Sequence, residues 1–293
     1  MKVKFYGVRG SLPVCGPEFQ RYGGNTTCIR IAREQANRIW IIDAGTGIRN
    51  LGKDFIREGN KQKVINIGFT HFHWDHIQGL PFFAPAYDKD QIIGLMAMGD
   101  ERKYLNLKEI FSLQMQTNYF PVSLDSMGAQ FQFLSLGSEE TYYGVFAKAA
   151  PQYHQYPTGS YGLRLEDDSQ VLVICTDLEH INGIDESIVE LARNADLLIH
   201  DGQYTDEECI RCRGWGHSSW RQAVEVAKRA NVKKLVITHH DPDHDDDMLD
   251  SMERECQKEF PNSAFAKEGM EVDLSRPLSN VYSNATLSVT NVM

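Results

Sequence analysis

An α/β layered fold in a single domain is predicted by three observations. Short β-branched runs open the chain and then alternate with helix-like stretches. No Pro/Ser-rich linker and no repeat of 20–50 residues divides it. Four apolar runs each end in a residue able to bind a metal ion. With 293 residues, 42% hydrophobic and 24% charged, the chain can bury a sizeable core without staples. That composition excludes collagen, coiled coil, low-complexity disorder and a disulfide miniprotein.

The elements follow in order. Val3 to Val8, Cys28 to Ala32 and Ile39 to Ile42 read as strands, separated by glycine turns at Gly23-Gly24 and Gly45-Thr46-Gly47. The second of these is no dinucleotide fingerprint, because Asn50 stands where its third glycine is required. Val64 to Thr70 runs into His71, Val171 to Thr176 into Asp177, Leu197 to Ile199 into His200-Asp201, and Leu235 to Thr238 into His239. Ligands in open α/β sheets collect at the carboxyl ends of strands, so the four ends are expected on one side of the molecule. One helix is well marked: Ser219 with Gln222 forms a capping box, and Trp220, Ala223, Val224, Ala227 and Ala230 recur at helical spacing. Residues 276–293 are polar and Ser/Asn-rich, a tail or edge strand, which leaves 1–275 as the folded unit.

Charge and targeting narrow the partners. Lys+Arg 30 against Asp+Glu 40 gives −10, a field that repels polyanions and suits a small anionic substrate better than a long nucleic acid. No apolar run approaches the ~20 residues of a membrane span, and Met1-Lys2-Val3-Lys4-Phe5 leads straight into a strand with no signal-peptide core. A cytoplasmic protein without a membrane partner is expected. Its six cysteines (Cys15, Cys28, Cys175, Cys209, Cys212, Cys256) lack framework spacing and are expected to be reduced. For the same reason the triplets at Asn25 and Asn284 carry no glycan.

The first of the four strand ends expands into His71-Phe72-His73-Trp74-Asp75-His76. Alternate residues leaving a strand place His71 and His73 together, while Asp75 and His76, a turn further on, face a second ion. Nitrogen and oxygen donors without thiolate suit Zn²⁺, and Mn²⁺ or Fe²⁺ fit the same set.

This cluster resembles the signature of the metallo-β-lactamase superfamily. A lone histidine (His154), a carboxylate after a strand (Asp177) and a final histidine after a strand (His239) follow in the matching order. The resemblance spans Lys2 to Asp273. It implies an αββα sandwich, two mixed sheets flanked by helices, with a dinuclear metal site at the sheet edge. By the same analogy His71, His73 and His154 hold one divalent ion, Asp75, His76 and His239 the other, and Asp177 bridges them. True β-lactamases typically carry a cysteine at the place of Asp177, and flavodiiron reductases a glutamate at that of His73, so both branches are disfavoured; glyoxalase II stays open. Ile199-His200-Asp201-Gly202-Gln203-Tyr204-Thr205, Gly216-His217-Ser218-Ser219, Gly7-Val8-Arg9-Gly10-Ser11 and Arg21-Tyr22-Gly23-Gly24-Asn25-Thr26 resemble instead the ribonuclease Z and cyclic-nucleotide phosphodiesterase branch.

Physical chemistry assigns those segments a task. His217 precedes the capped helix, whose free N–H groups, with Ser218 and Ser219, favour a phosphate. His217 is expected to serve the phosphoryl oxygen or the departing alkoxide as a proton or hydrogen-bond donor, with Asp201 orienting it. His200 reads as an orienting residue or a buried structural one, and His180, His240 and His244 as solvated loop residues. Cys209 and Cys212 have redox or zinc spacing but no second half, so they are read as incidental. Phe111, Met115, Tyr119 and Phe120 are read mainly as core, with a base-pocket wall as the other reading.

The expected activity is hydrolysis of a phosphodiester by a hydroxide bridging the two ions and held by Asp75 and Asp177, with His217 assisting the leaving ribose oxygen. For the substrate, the stretch from Ile77 to Tyr153 carries five Lys/Arg against eight Asp/Glu, which offers no electrostatic footprint for tRNA. His239 is followed by His240-Asp241-Pro242 where ribonuclease Z commonly ends in Ser-x-Arg-Tyr. Both departures favour a cyclic nucleotide. A tRNA 3′-processing endonuclease and a non-catalytic metal-binding module are the alternatives, and a homodimer, frequent among the relatives, is one expected assembly.

Overall fold

The computed structural model describes residues 1–33, 38–59, 64–100, 106–142, 144–155, 159–167 and 169–278. The tail expected at 276–293 lies outside the described residues from 279 on. Its first part does not hang free: Leu278, three residues past the expected boundary at 275, is buried in the core.

The first half lays down β1 (Lys2–Gly7), β2 (Cys28–Arg33), β3 (Arg38–Ile42), β4 (Val64–Phe69), β5 (Ile92–Met98) and β6 (Gln130–Leu136). The second adds β7 (Glu139–Tyr142), β8 (Val145–Gln152), β9 (Ser160–Glu166), β10 (Val171–Cys175), β11 (Leu197–Asp201), β12 (Leu235–Thr238) and β13 (Ser263–Phe265), before β14 (Glu271–Asp273) returns to pair with β1. Two seven-stranded sheets result, ordered β14-β1-β2-β3-β4-β5-β6 and β13-β12-β11-β10-β9-β8-β7. Each is mixed. In the first, β14, β1, β2 and β3 pair antiparallel and β3 to β6 parallel. The second repeats the scheme, antiparallel from β7 to β10 and parallel from β10 to β13.

The helices are α1 (Ile48–Arg57), α2 (Trp74–Ile77), α3 (Leu107–Gln114), α4 (Glu186–Leu191), α5 (Asp206–Arg211), α6 (Trp220–Arg229) and α7 (Asp246–Glu259). Ile65, Ile67 and Phe69 of β4 face α1 and α3 with Ile48, Leu51, Phe55 and Phe111. Val173, Leu198, Leu235 and Ile237 face α4, α6 and α7 on the far side. Val3, Phe5, Ile29, Leu163, Leu172, Ile174 and Val236 meet between the sheets. The layers are therefore helix, sheet, sheet, helix, and strands buried on both faces account for continuous apolar runs such as Val171 to Cys175. Phe111 and Met115 are core, whereas Tyr119 is 74% exposed. The capping box of α6 forms as expected, with Ser219 Oγ accepting from Gln222 N and Gln222 closing back on Ser219 N.

Candidate metal centre and catalytic cleft

The four expected strand ends do meet on one side, but they come from both sheets: β4 belongs to the first, and β10, β11 and β12 to the second. The cluster thus lies where the two sheet edges converge. His71 leaves β4, α2 carries Asp75 and His76, His154 follows β8, Asp177 follows β10 and His239 follows β12. Asp43, Asp177 and His239 adopt φ of 61°, 58° and 64°, and Ser11, whose N–H donates to Asp75 Oδ2 at 2.8 Å, adopts 58°. Non-glycine residues held left-handed cost on the order of 1–3 kcal/mol each and persist where the surroundings over-determine them.

Ligand-capable atoms among the described residues fall into four overlapping groups, two of which, His154 with Asp177 and His217 and Asp201 with His217 and His239, include His217, while the other two consist of expected ligands alone. Of those other two, one is His71, His73 and His154; the second is Asp75, His76, Asp177 and His239. In the first, His154 Nε2 lies 3.0 Å from His73 Nδ1. In the second, His239 Nε2 lies 3.2 Å from Asp75 Oδ2, 3.1 Å from Asp177 Oδ1 and 3.4 Å from His76 Nε2. Asp177 reaches both: its Oδ1 is 3.7 Å from His71 Nε2 and 3.9 Å from His154 Nε2, and its Oδ2 is 3.2 Å from His76 Nε2. All seven expected ligands are brought together, and all except half-buried His73 are buried.

Electrostatics tests whether the cluster suits a cation. Burial works against the Asp177 carboxylate, yet His239, His76 and His71 outweigh it and hold its carboxyl well below the usual range. Asp75 is likewise held low, against burial, chiefly by His76 and His239. Burial disfavours the charged form of His239, but Asp177 and Asp75 push it up to about 10. Protons are thus drawn in to balance two buried carboxylates, the place a cation would take. His71 Nε2 is buried with no hydrogen-bond partner, and burial drives that ring well below its normal pKa, so it stays neutral with a free lone pair. With a cation in place of those protons, the imidazole nitrogens and ionised carboxylates make a donor set that fits divalent metal.

Other groups orient the donors, and several were not anticipated from the sequence. Asp43 Oδ2 lies 2.8 Å from His76 Nδ1, while Asp43 accepts from Thr70 N–H and Oγ1–H. Gln203 Oε1 is 3.0 Å from His239 Nδ1. The Gly216 carbonyl is 2.8 Å from His154 Nδ1. Each partner turns a ring so that its other nitrogen faces the cluster, the usual support for metal-binding histidines. Asp43 carries the signal that exposed the other sites, a carboxylate closing an apolar run, Ile39 to Ile42. The segment Gly7 to Ser11 is scaffold: buried Arg9 donates to the carbonyls of Gly23, Asp241 and His244, and a Cβ on Gly10 would sit 2.3 Å from His239 Nδ1.

His217 Nδ1 lies 2.9 Å from Asp201 Oδ2, the expected pair. Its ring is stacked on His239 at 4.9 Å and reaches the cleft surface. Burial opposes ionisation of Asp201, but His217 and then His239 keep its carboxyl below the ordinary value. Ser218 and Ser219 correct the sequence reading. Both are buried, Ser218 Oγ donates to Leu178 O, Ser218 N–H to Asp201, and Ser219 Oγ to Asp206. Their donors serve the fold and not a phosphate. His180, His240 and His244 are likewise buried where solvated loops were expected: His240 Nε2 lies 2.9 Å from Ala266 O, and His244 pairs with Glu208. His200 is buried too, its Nδ1 2.7 Å from Asp201 O.

The cluster opens into a cleft of about 540 Å³. Its lining includes Ser11, His73, His154, Gln203, Tyr204 and His217, with Glu208, Arg211, Trp215, Asp241 and Asp243 also at its surface. No helix among the described residues is long and apolar enough to cross a membrane.

Comparison with known proteins agrees with this geometry. The family model of the beta-lactamase superfamily domain matches residues 38–240. Ribonuclease Z of Prochlorococcus marinus (strain NATL1A) is 24% identical over 94% of this chain and 100% of its own length. Among solved structures, the metallo-beta-lactamase fold protein YhfI from Bacillus subtilis has a TM-score of 0.67 at 17% identity, covering 92% of this chain and 98% of that one. The short form of human tRNase Z has a TM-score of 0.65 at 19% identity, covering 94% and 99%. The chain belongs to the beta-lactamase superfamily. It is a metal-dependent hydrolase within it, on the ribonuclease Z side.

Proposed function

We propose that this protein hydrolyses a ribose phosphodiester. The observation that carries the reading is the His217–Asp201 pair, 2.9 Å apart, standing beside the buried His/Asp cluster at the floor of one cleft. His71, His73 and His154 would hold one divalent cation, Asp75, His76 and His239 a second, and Asp177 would contact both. Zn²⁺ suits these donors, with Mn²⁺ and Fe²⁺ next. When bound, such cations supply Lewis acidity to the phosphoryl oxygens and to the attacking water. Asp75, pinned by Ser11 N–H, orients that water. His217 delivers a proton from Nε2 to the leaving oxygen, while Asp201 fixes the Nδ1–H tautomer and stabilises the ring when it is charged. The unit 1–275, extended to Leu278, carries this chemistry.

RNA is the leading substrate, in the manner of a tRNA 3′-processing endonuclease, because ribonuclease Z sequences align along nearly the whole chain. This replaces the cyclic nucleotide as first choice. A second reading, a cyclic nucleotide, is favoured by the cleft's own charge: Glu208, Asp241 and Asp243 against Arg211 among the described lining residues. Incubating the metal-loaded protein with a precursor tRNA beside cyclic AMP, GMP, CMP and UMP decides. RNA cleavage that weakens steeply with salt supports the first, and salt-insensitive turnover of a cyclic nucleotide the second. Full metal loading with no turnover of any diester would leave only a metal-binding module.

A further inference from the structure

The loop 212–217, between α5 and α6, holds a feature that the hydrolytic chemistry does not use. Its backbone is pinned by the buried Glu179 carboxylate, which accepts from Gly214 N–H at 2.8 and 3.0 Å and from Gly216 N–H at 2.8 Å. Trp215 N–H donates to Cys212 O at 3.0 Å. Gly214 and Gly216 have φ of 89° and 90°, where a side chain is disfavoured, and a Cβ on Gly216 would fall 2.2 Å from His154 Nδ1. The backbone on both sides of residue 215 is therefore specified. Burial does not specify the side chain between them: Trp215 is 64% exposed, and it lines the cleft together with His154 and His217. An indole left in water forgoes one of the largest burial gains open to any side chain.

We infer that Trp215 is the surface on which a nucleobase of the substrate stacks, so that the enzyme selects nucleotide diesters over diesters without a base. The inference rests on the phosphodiesterase reading above. A cleft of about 540 Å³ has room for a nucleoside beside its phosphate. Every base presents a π face, so one indole serves all four without choosing among them. Glu208, Asp241 and Asp243 outnumber Arg211 on the same cleft, so an uncharged ring contact supplies affinity there that does not depend on charge.

The test compares thymidine 5′-(p-nitrophenyl phosphate) with methyl p-nitrophenyl phosphate on the metal-loaded full chain; the leaving group is the same and only the nucleoside differs. Wild type is expected to prefer the nucleoside diester in kcat/KM. Trp215→Leu should cut that preference about tenfold, mainly through KM, and Trp215→Phe should restore most of it. As an independent readout, thymidine 5′-monophosphate should quench the tryptophan fluorescence of wild type more than that of Trp215→Phe. If Trp215→Leu keeps the wild-type preference and quench while both diesters turn over, the inference is overturned and the phosphodiesterase reading stands. If wild type hydrolyses neither these diesters nor the precursor tRNA and cyclic nucleotides, that reading falls and the inference with it; if it turns over only the latter, the quench comparison decides the inference, an equal quench in wild type and Trp215→Phe overturning it.

Discussion

At the scale of single residues, the Asp201 carboxylate gathers four partners: the N–H groups of Asp177, Gln203 and Ser218, at 3.1, 3.1 and 3.0 Å, and the His217 ring. One buried anion therefore ties the carboxylate shared by both ligand groups to the histidine placed as proton donor. The two functions separate under mutation. His217→Ala should retain metal, read by elemental analysis, and lose turnover by about 10²–10⁴-fold, whereas Asp75→Ala should lose both. Asp43→Asn removes the carboxylate that turns His76 and should weaken divalent-metal affinity by about 10–100-fold in competition with a chromophoric chelator; unchanged affinity would show that His76 does not depend on it. The ligands were legible because His71-Phe72-His73-Trp74-Asp75-His76 is dense enough to stand out in a string. Gln203 and the Gly216 carbonyl were not, since a glutamine or a peptide oxygen has no signature until the fold brings a ring to it.

At the scale of elements, the short helix α4 starts on a titratable contact. Asp185 N–H donates to His180 Nδ1 at 3.1 Å, which requires that nitrogen to be unprotonated, and the His180 ring stacks on His200 at 5.6 Å. Burial first, and His200 second, push His180 down to about 3, against about 6.5 in an unfolded chain. Below about 6.5 the unfolded state therefore binds a proton that the folded state refuses, and stability drains as pH falls from there toward about 3, by up to ~1.4 kcal/mol per pH unit. Urea midpoints measured from pH 7 to 4.5 should fall less for His180→Asn, which keeps an acceptor for Asp185 N–H and cannot titrate; parallel curves would refute this. The metal ligands titrate in both proteins and cancel in the comparison. Strands β4, β10, β11 and β12 and the start of α6 were readable from local pattern. The burial of His180, His240 and His244 was not, because loop-like sequence says nothing about which layer will cover it.

At the scale of the whole molecule, metal links folding to function. The cluster draws residues from α2 and from just past the ends of β4, β8, β10 and β12, so a cation bound there ties both sheets together. Divalent metal should stabilise chelator-treated protein by about 2.7 kcal/mol per site at a free concentration 100 times the dissociation constant, read as a higher denaturation midpoint; a midpoint indifferent to metal would mean the cluster is not a site in the folded state. The sequence by itself pointed to the α/β class through the periodicity of its elements and to His71, His73, Asp75 and His76 through their density in six residues, while the ligand roles of His154, Asp177 and His239 and the His217–Asp201 pair were reached through the family resemblance of the segments that carry them. Only the tertiary structure decided that the strands split into two like-built sheets, that the ligands straddle their meeting edge, that Ser218 and Ser219 spend their donors inward, and that Trp215 faces the cleft. Those outcomes depend on contacts between residues far apart in the chain, which no local pattern encodes.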